Sequence, residues 1–138
     1  MNMEEILSII LEEQSEIALA TSVDNYPNVR VVNFYYNRDL KKLFFSTFKD
    51  NDKVFEFDKN SNISFTSIPK NGVSHVKGYG VVERSSKKIE DMKSEFIKKI
   101  PEYQEIIDDF GESLLLFEVS LKKAKVVLSM ECCEEIIF

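Results

Sequence analysis

Two basic side chains and a pair of hydroxyls are the groups in this chain best placed to do chemistry. Ser46 and Thr47 end the apolar run LFFST, and the polar segment Lys49, Asp50, Asn51, Asp52, Lys53 follows before Val54, Phe55 and Phe57 restore apolar character. Val54 and Phe57 stand three apart, as one face of a helix requires. Asn51 or Asp50 can cap such a helix, because a side-chain oxygen there accepts a free amide of the first turn. Hydroxyls, helix-start amides and a lysine within one turn form a seat for phosphate. An ordinary strand–helix junction with a solvated lysine has the same pattern, and the flanking Asp50 and Asp52 repel an anion. Arg30 lies inside the apolar run NVRVVNF and by alternation shares a face with Val32 and Phe34. An arginine among such residues needs an anionic partner or a route to water. It either snorkels at a sheet edge or points, with Lys53, at a bound phosphate.

The remaining polar residues offer little. His75 is the only histidine. Alone it completes neither a Ser-His-Asp arrangement nor a multi-histidine metal site, and an edge-strand histidine without chemical role is the ordinary case. The adjacent Cys132 and Cys133 cannot form a normal structural disulfide with each other and are too few for zinc. They are expected to be reduced, half-buried thiols. Lys87, Lys88, Lys93, Lys98 and Lys99 alternate with acids, the pattern of a solvated helix face. No nucleophile or general base stands out, so any enzymatic chemistry must come from a cofactor.

A chain of 138 residues, 43% hydrophobic and 30% charged, is expected to form one domain over 1–138 with a substantial core. A net charge of −6 argues against nucleic acid and against an anionic membrane surface. The segment MNMEEILSIILEEQ is broken by acids too early for a signal peptide, and no apolar run can span a bilayer. A cytoplasmic protein is expected.

The elements that must position these residues follow from periodicity. Met3 to Glu13 is an amphipathic helix capped by Asn2. Strands are expected over Glu16–Ser22, Asn28–Tyr36 and Leu43–Thr47, joined by turns at Val23–Pro27 and Asn37–Lys41 into an antiparallel meander. A short helix follows, then a strand over Ile63–Ile68, the turn Pro69–Gly72 and a strand over Val73–Glu83. Gly78 and Gly80 within it imply a bulge or a close backbone approach. Ser85–Ile100 and Glu102–Phe110 read as helices, Leu114–Leu121 and Ala124–Met130 as strands, and Glu131–Phe138 as an acidic then apolar tail. About seven strands at hairpin spacing with flanking helices predict a mainly β fold, an antiparallel barrel with helices outside.

The order EIALATSVDNYPNVRVVNFYY, then LFFSTFKDNDKVFEFDKNSNISF, then VSHVKGYGVVE, resembles the FMN-binding split-barrel superfamily around pyridoxamine 5′-phosphate oxidase, nearest its nitroimidazole-reductase-like branch. The resemblance implies a split β-barrel that pairs as a homodimer with FMN in a groove between subunits. It places Arg30, Val31 and Val32 on the strand whose arginine and backbone line the flavin. Phe45, Ser46 and Thr47 fall on the strand beside the ring system and ribityl chain. Asn51 falls at a helix-start position that often carries a hydroxyl, Lys53 on the phosphate-binding lysine, and His75 where the oxidases have a flavin-contacting glutamine.

Departures narrow the expectation. Asp52 stands where the oxidases have arginine and the nitroimidazole reductases histidine, which weakens the phosphate seat. The segment DMKSEFIKKIPEY does not reproduce the oxidases' substrate-phosphate set, and their C-terminal Trp and Arg elements are missing. Pyridoxamine phosphate oxidation is therefore not expected. The resemblance favours an FMN-dependent oxidoreductase acting on a small molecule. The alternatives are a non-catalytic flavin or haem module for storage or sensing, with His75 the one imidazole available, and a dimeric scaffold that has lost its ligand.

Overall fold

The computed structural model describes residues 1–130 and 132–138. Helix α1, Met3–Glu13, starts where the Asn2 side chain accepts the Glu5 amide at 2.9 Å. Strands β1, Glu16–Val23, and β2, Tyr26–Asn33, form a hairpin. Its turn is only Asp24 and Asn25, both at positive φ, which these side chains tolerate and which a tight hairpin of this twist needs. Next come β3, Tyr35–Asn37, β4, Lys42–Phe48, and helix α2, Asp52–Lys59. Strands β5, Asn62–Ser67, and β6, His75–Arg84, flank the predicted turn, where Gly72 sits at φ +72°. Helices α3, Lys93–Lys99, and α4, Tyr103–Phe110, precede the long β7, Leu114–Val127, and the short β8, Cys133–Ile137.

The sheet runs β2-β1-β5-β6-β7-β4-β3, every pairing antiparallel, with β8 continuing the β4 edge of β7. Its two terminal strands, β2 and β3, are separated in the chain by Phe34 alone. The ends of the sheet must therefore meet, and the sheet curls into a split barrel. Beyond Phe44, β4 has no β3 partner, and β2 pairs only with β1. The split lies between those two free edges, and α2, fed directly by β4, packs on β1 beside it.

Two apolar clusters share the central strands. Leu43, Phe45, Phe117 and Val119 face the barrel interior with Ile17, Leu19, Val32, Phe65 and, from α2, Phe57. Phe44, Leu114 and Leu116 face outward beneath Phe96, Tyr103 and Ile107 of α3 and α4. Burial on both faces explains why LFF and LLLF do not alternate.

Several expectations change. The meander does not form: β4 pairs with β7, and Asn28–Tyr36 is two strands broken at the buried Phe34, whose amide bonds the Ser15 carbonyl at 3.1 Å. The predicted helix from Ser85 begins only with a 3₁₀ turn at Ile89–Met92, because the Ser85 hydroxyl captures the Lys87 amide at 3.1 Å. Leu114–Val127 is one strand, not two. It absorbs the polar Lys122 as a bulge opposite Tyr79 and Gly80. Gly78 and Gly80 are needed for close approach: a Cβ on either would lie 2.2 Å from a β7 carbonyl oxygen. Cys132 and Cys133 are exposed rather than half-buried, and the tail forms β8. Glu131 of that predicted tail lies outside the described residues. His75 opens a central strand, not an edge strand.

Candidate functional site

The start of α2 brings the first elements of the site together. Asn51 caps the helix, its Oδ1 accepting both the Lys53 amide at 3.0 Å and the Lys53 Nζ at 3.1 Å. Lys53 is only 8% exposed. Burial, then the nearby Arg30 cation, lower its pKa from the ordinary lysine value, while Glu56 and Asp52 oppose the shift. No carboxylate lies within ion-pairing distance of its ammonium among the described residues.

One helical turn later, Glu56 gathers the ends of β1 and β2. Its carboxylate pairs with Arg30 Nη2 and accepts from Thr21 Oγ1 at 2.9 Å and Asn28 Nδ2 at 3.3 Å. Arg30 Nη1 donates to the same Thr21 hydroxyl at 2.9 Å. Arg30 thus faces the barrel side with Val32, as alternation predicted, but its anionic partner is internal. Nothing in the local pattern DKVFEFDK marked Glu56 out, since it reads as one more surface acid of a short helix.

Thr47 joins this end of the barrel. It follows Leu43 and Phe45 on the inward face of β4, is 6% exposed, and its hydroxyl has no hydrogen-bond partner among the described residues. The other named residues separate from it. Phe45 is fully buried and stacks on Phe117 at 5.7 Å, so only its backbone can reach a ligand. Ser46 points to the opposite face and bonds the Tyr103 hydroxyl at 2.9 Å, tying β4 to α4. Val32 is core, whereas Val31 is 55% exposed on the outer surface with Val29. His75 lies at the far end of β6. Arg30 is level with Leu19, Phe65 and Gly78, and His75 is three residues before Gly78, about 10 Å further along the strand and away from Thr21. Its Nδ1 is 2.8 Å from the Val73 carbonyl, which can only accept, so Nδ1–H donates to it.

One residue of the supposed solvated helix face behaves otherwise. Lys99 Nζ sits 3.6 Å over the Phe34 ring and donates to the Leu11 carbonyl at 2.8 Å, near the end of α1. Burial, with Lys70 nearby, lowers its pKa to about 7, opposed by Glu12. It lines a cavity of about 550 Å³ between β3 and α3. Its contacts link α3 to a helix eighty-eight residues earlier, so sequence spacing carried no sign of them.

The geometry is that of a split antiparallel β-barrel, with a capped helix and a buried lysine beside the split. Family comparison agrees over most of the chain: the model described as pyridoxamine 5′-phosphate oxidase-like matches residues 10–131, and this chain belongs to that family. Solved structures share the fold at low identity. A haem-binding protein from Mycobacterium smegmatis superposes with TM-score 0.81 and 12% identity over 99% of this chain. This chain spans only 58% of that protein's length. General stress protein 26 from Bacillus anthracis gives 0.78 and 13%, with both chains fully covered. A NimC/NimA family protein from Clostridium acetobutylicum gives 0.69 and 14%, covering 98% of this chain and 94% of its own. At these identities the likeness establishes the fold. No curated protein sequence matches this chain. Among the described residues no helix is long and apolar enough to cross a membrane, and no three His, Cys, Asp or Glu residues gather as a metal site.

Proposed function

We propose that this protein binds FMN at the barrel split and uses it as a cytosolic oxidoreductase for a small molecule. One observation carries this reading: Lys53 is buried at the start of α2, and its ammonium has a single neutral acceptor and, among the described residues, no carboxylate within ion-pairing distance. A buried charge without a counter-ion is costly, and a phosphate supplies what is missing. Around it, Asn51 holds the ammonium in place and the first-turn amides of α2 add positive potential; Thr47, on the inward face of β4, adds a hydroxyl with no partner among the described residues. The free edges of β2 and β4 leave backbone groups of Arg30 to Val32 and of Phe45 to Thr47 available to a planar ligand. FMN, when bound, supplies hydride and electron transfer, while the Glu56 carboxylate at the split is engaged by Arg30, Thr21 and Asn28. The chain's own residues bind and orient the ligand.

The same reading includes a homodimer with one site per groove. Support comes from the outer face of β1 and β2, where Val29 and Val31 are exposed beside their small partners Ala20 and Ala18. In a dimer His75 of one subunit can approach the other's flavin, which a single chain does not allow.

A second reading, a haem module, rests on His75. Its Nδ1–H is held by the Val73 carbonyl and leaves Nε2 free to ligate iron, the arrangement ligating histidines adopt. The mycobacterial neighbour is a haem-binding protein. The deciding experiment is the absorption spectrum of purified protein before and after addition of FMN or haem. Flavin bands with retention of FMN through gel filtration are expected. A Soret band that His75→Ala abolishes, with no retention of flavin, would overturn the flavin reading.

A further inference from the structure

The guanidinium at the split is already taken. Glu56 holds Arg30, and its other carboxylate oxygen is filled by Thr21 and Asn28, so the acid is anchored from two strands. The pair is largely sheltered, with side-chain exposures of 18% for Arg30 and 13% for Glu56. Lys53 and Glu56 stand one turn apart on α2, so the helix presents a cation and its opposing anion to the same region. Counting Arg30 and Lys53 against Glu56 and Asp52, the formal charge there is zero. A dianionic phosphate is drawn to Lys53 but meets the Glu56 carboxylate in front of the second cation.

We infer that Glu56 is a built-in competitor for the phosphate of the ligand: the anion engages Arg30 only when the carboxylate leaves it, and the Arg30–Glu56 pair therefore sets how tightly a phosphorylated ligand is held. The inference rests on the flavin reading above and concerns the phosphate end alone. Opening the pair must replace the guanidinium and the two neutral donors around Glu56, so part of the binding energy is spent on that exchange. The unphosphorylated part of the ligand, lying along β2 and β4, is indifferent to it.

The test compares FMN with riboflavin, which lacks the phosphate, on the wild-type chain and on Glu56→Gln. The amide keeps the shape and an oxygen for Thr21 but removes the charge. FMN is expected to bind Glu56→Gln about tenfold more tightly, the order produced by removing one unit charge beside a partly screened anion, with riboflavin affinity unchanged. Inorganic phosphate should also raise the melting temperature of Glu56→Gln more than that of the wild type, because ligand that binds only the native state stabilises it according to its affinity. Thr21→Val, which loosens both partners and keeps every charge, should shift FMN affinity the same way by less, and it serves if Glu56→Gln does not fold. Equal FMN affinity in wild type and variants would overturn the competitor role and leave the flavin reading standing. Weaker FMN binding by either variant would also overturn it, making Glu56 an anchor of the site. Riboflavin tightening in parallel with FMN would do the same. If no form binds either flavin, the flavin reading and this inference fall together.

Discussion

One oxygen of Asn51 serves two donors of the same residue, the backbone amide and the ammonium of Lys53, at 3.0 and 3.1 Å. The N-cap of α2 is therefore also the clamp on the buried lysine. Asn51→Ala removes both bonds. The cap alone is worth about 1 kcal/mol, so the urea midpoint should fall accordingly. FMN affinity should fall with it, because the freed ammonium no longer has a fixed position. A variant that loses stability but keeps full affinity would separate the two roles.

Lys53→Met should separate binding from stability in the other direction. The apolar chain keeps the buried stem and deletes an unpaired charge, so thermal stability is expected to hold or rise. FMN affinity should drop at least tenfold, on the order expected for a lost charge-assisted phosphate contact, and riboflavin affinity should not change. Fluorescence titration with each flavin measures both. Undiminished FMN binding would place the phosphate elsewhere.

Lys99 should leave a mark on the pH dependence of stability. Its folded pKa of about 7 lies below the ordinary 10.5. Between those values the unfolded chain holds a proton that the folded chain has released, so stability rises with pH across that window and levels off above it. Lys99→Met removes the effect. The melting temperature of the wild type relative to this variant should climb between about pH 7 and about pH 10.5. A flat difference would show that the Phe34 face and the Leu11 carbonyl hold the ammonium charged despite its burial.

Two glycines should respond very differently to alanine. At Gly78 a Cβ would meet the Lys123 carbonyl oxygen at 2.2 Å, backbone against backbone, with no flexible end to give way. Gly78→Ala should cost roughly 3 kcal/mol or more, or prevent folding. At Gly72 the space is open and only the φ of +72° is unfavourable, so Gly72→Ala should cost about 1 kcal/mol. Chemical denaturation ranks the two.

Ser46 and Thr47 are neighbours on opposite faces of β4, and their variants should diverge. Ser46→Ala loses the Tyr103 bond and about 1 kcal/mol of stability without altering flavin affinity. Thr47→Val removes a hydroxyl with no partner among the described residues, so it should leave stability nearly unchanged and weaken FMN binding. Isothermal titration alongside thermal melts reads both quantities. The reverse pattern would move the ligand to the helix-covered side of the strand.

What the sequence determined by itself was whatever depends on neighbours in the chain. The caps at Asn2 and Asn51 and the turn at Gly72 are set by side-chain chemistry within a few residues. The inward face of Arg30 follows from strand alternation, and the close approach at Gly78 and Gly80 from the absence of a Cβ. The family resemblance rested on that same local order. Only the tertiary structure decided which strands lie side by side, because pairing β4 with β7 rather than β2 joins residues as far apart in the chain as Lys42 and Ser120 by backbone bonds that any side chain permits. It likewise decided that Arg30 meets Glu56 and that Lys99 leaves solvent for Phe34. Opposite charges and aromatic rings are common along the chain, and folding alone selects which of them come within reach.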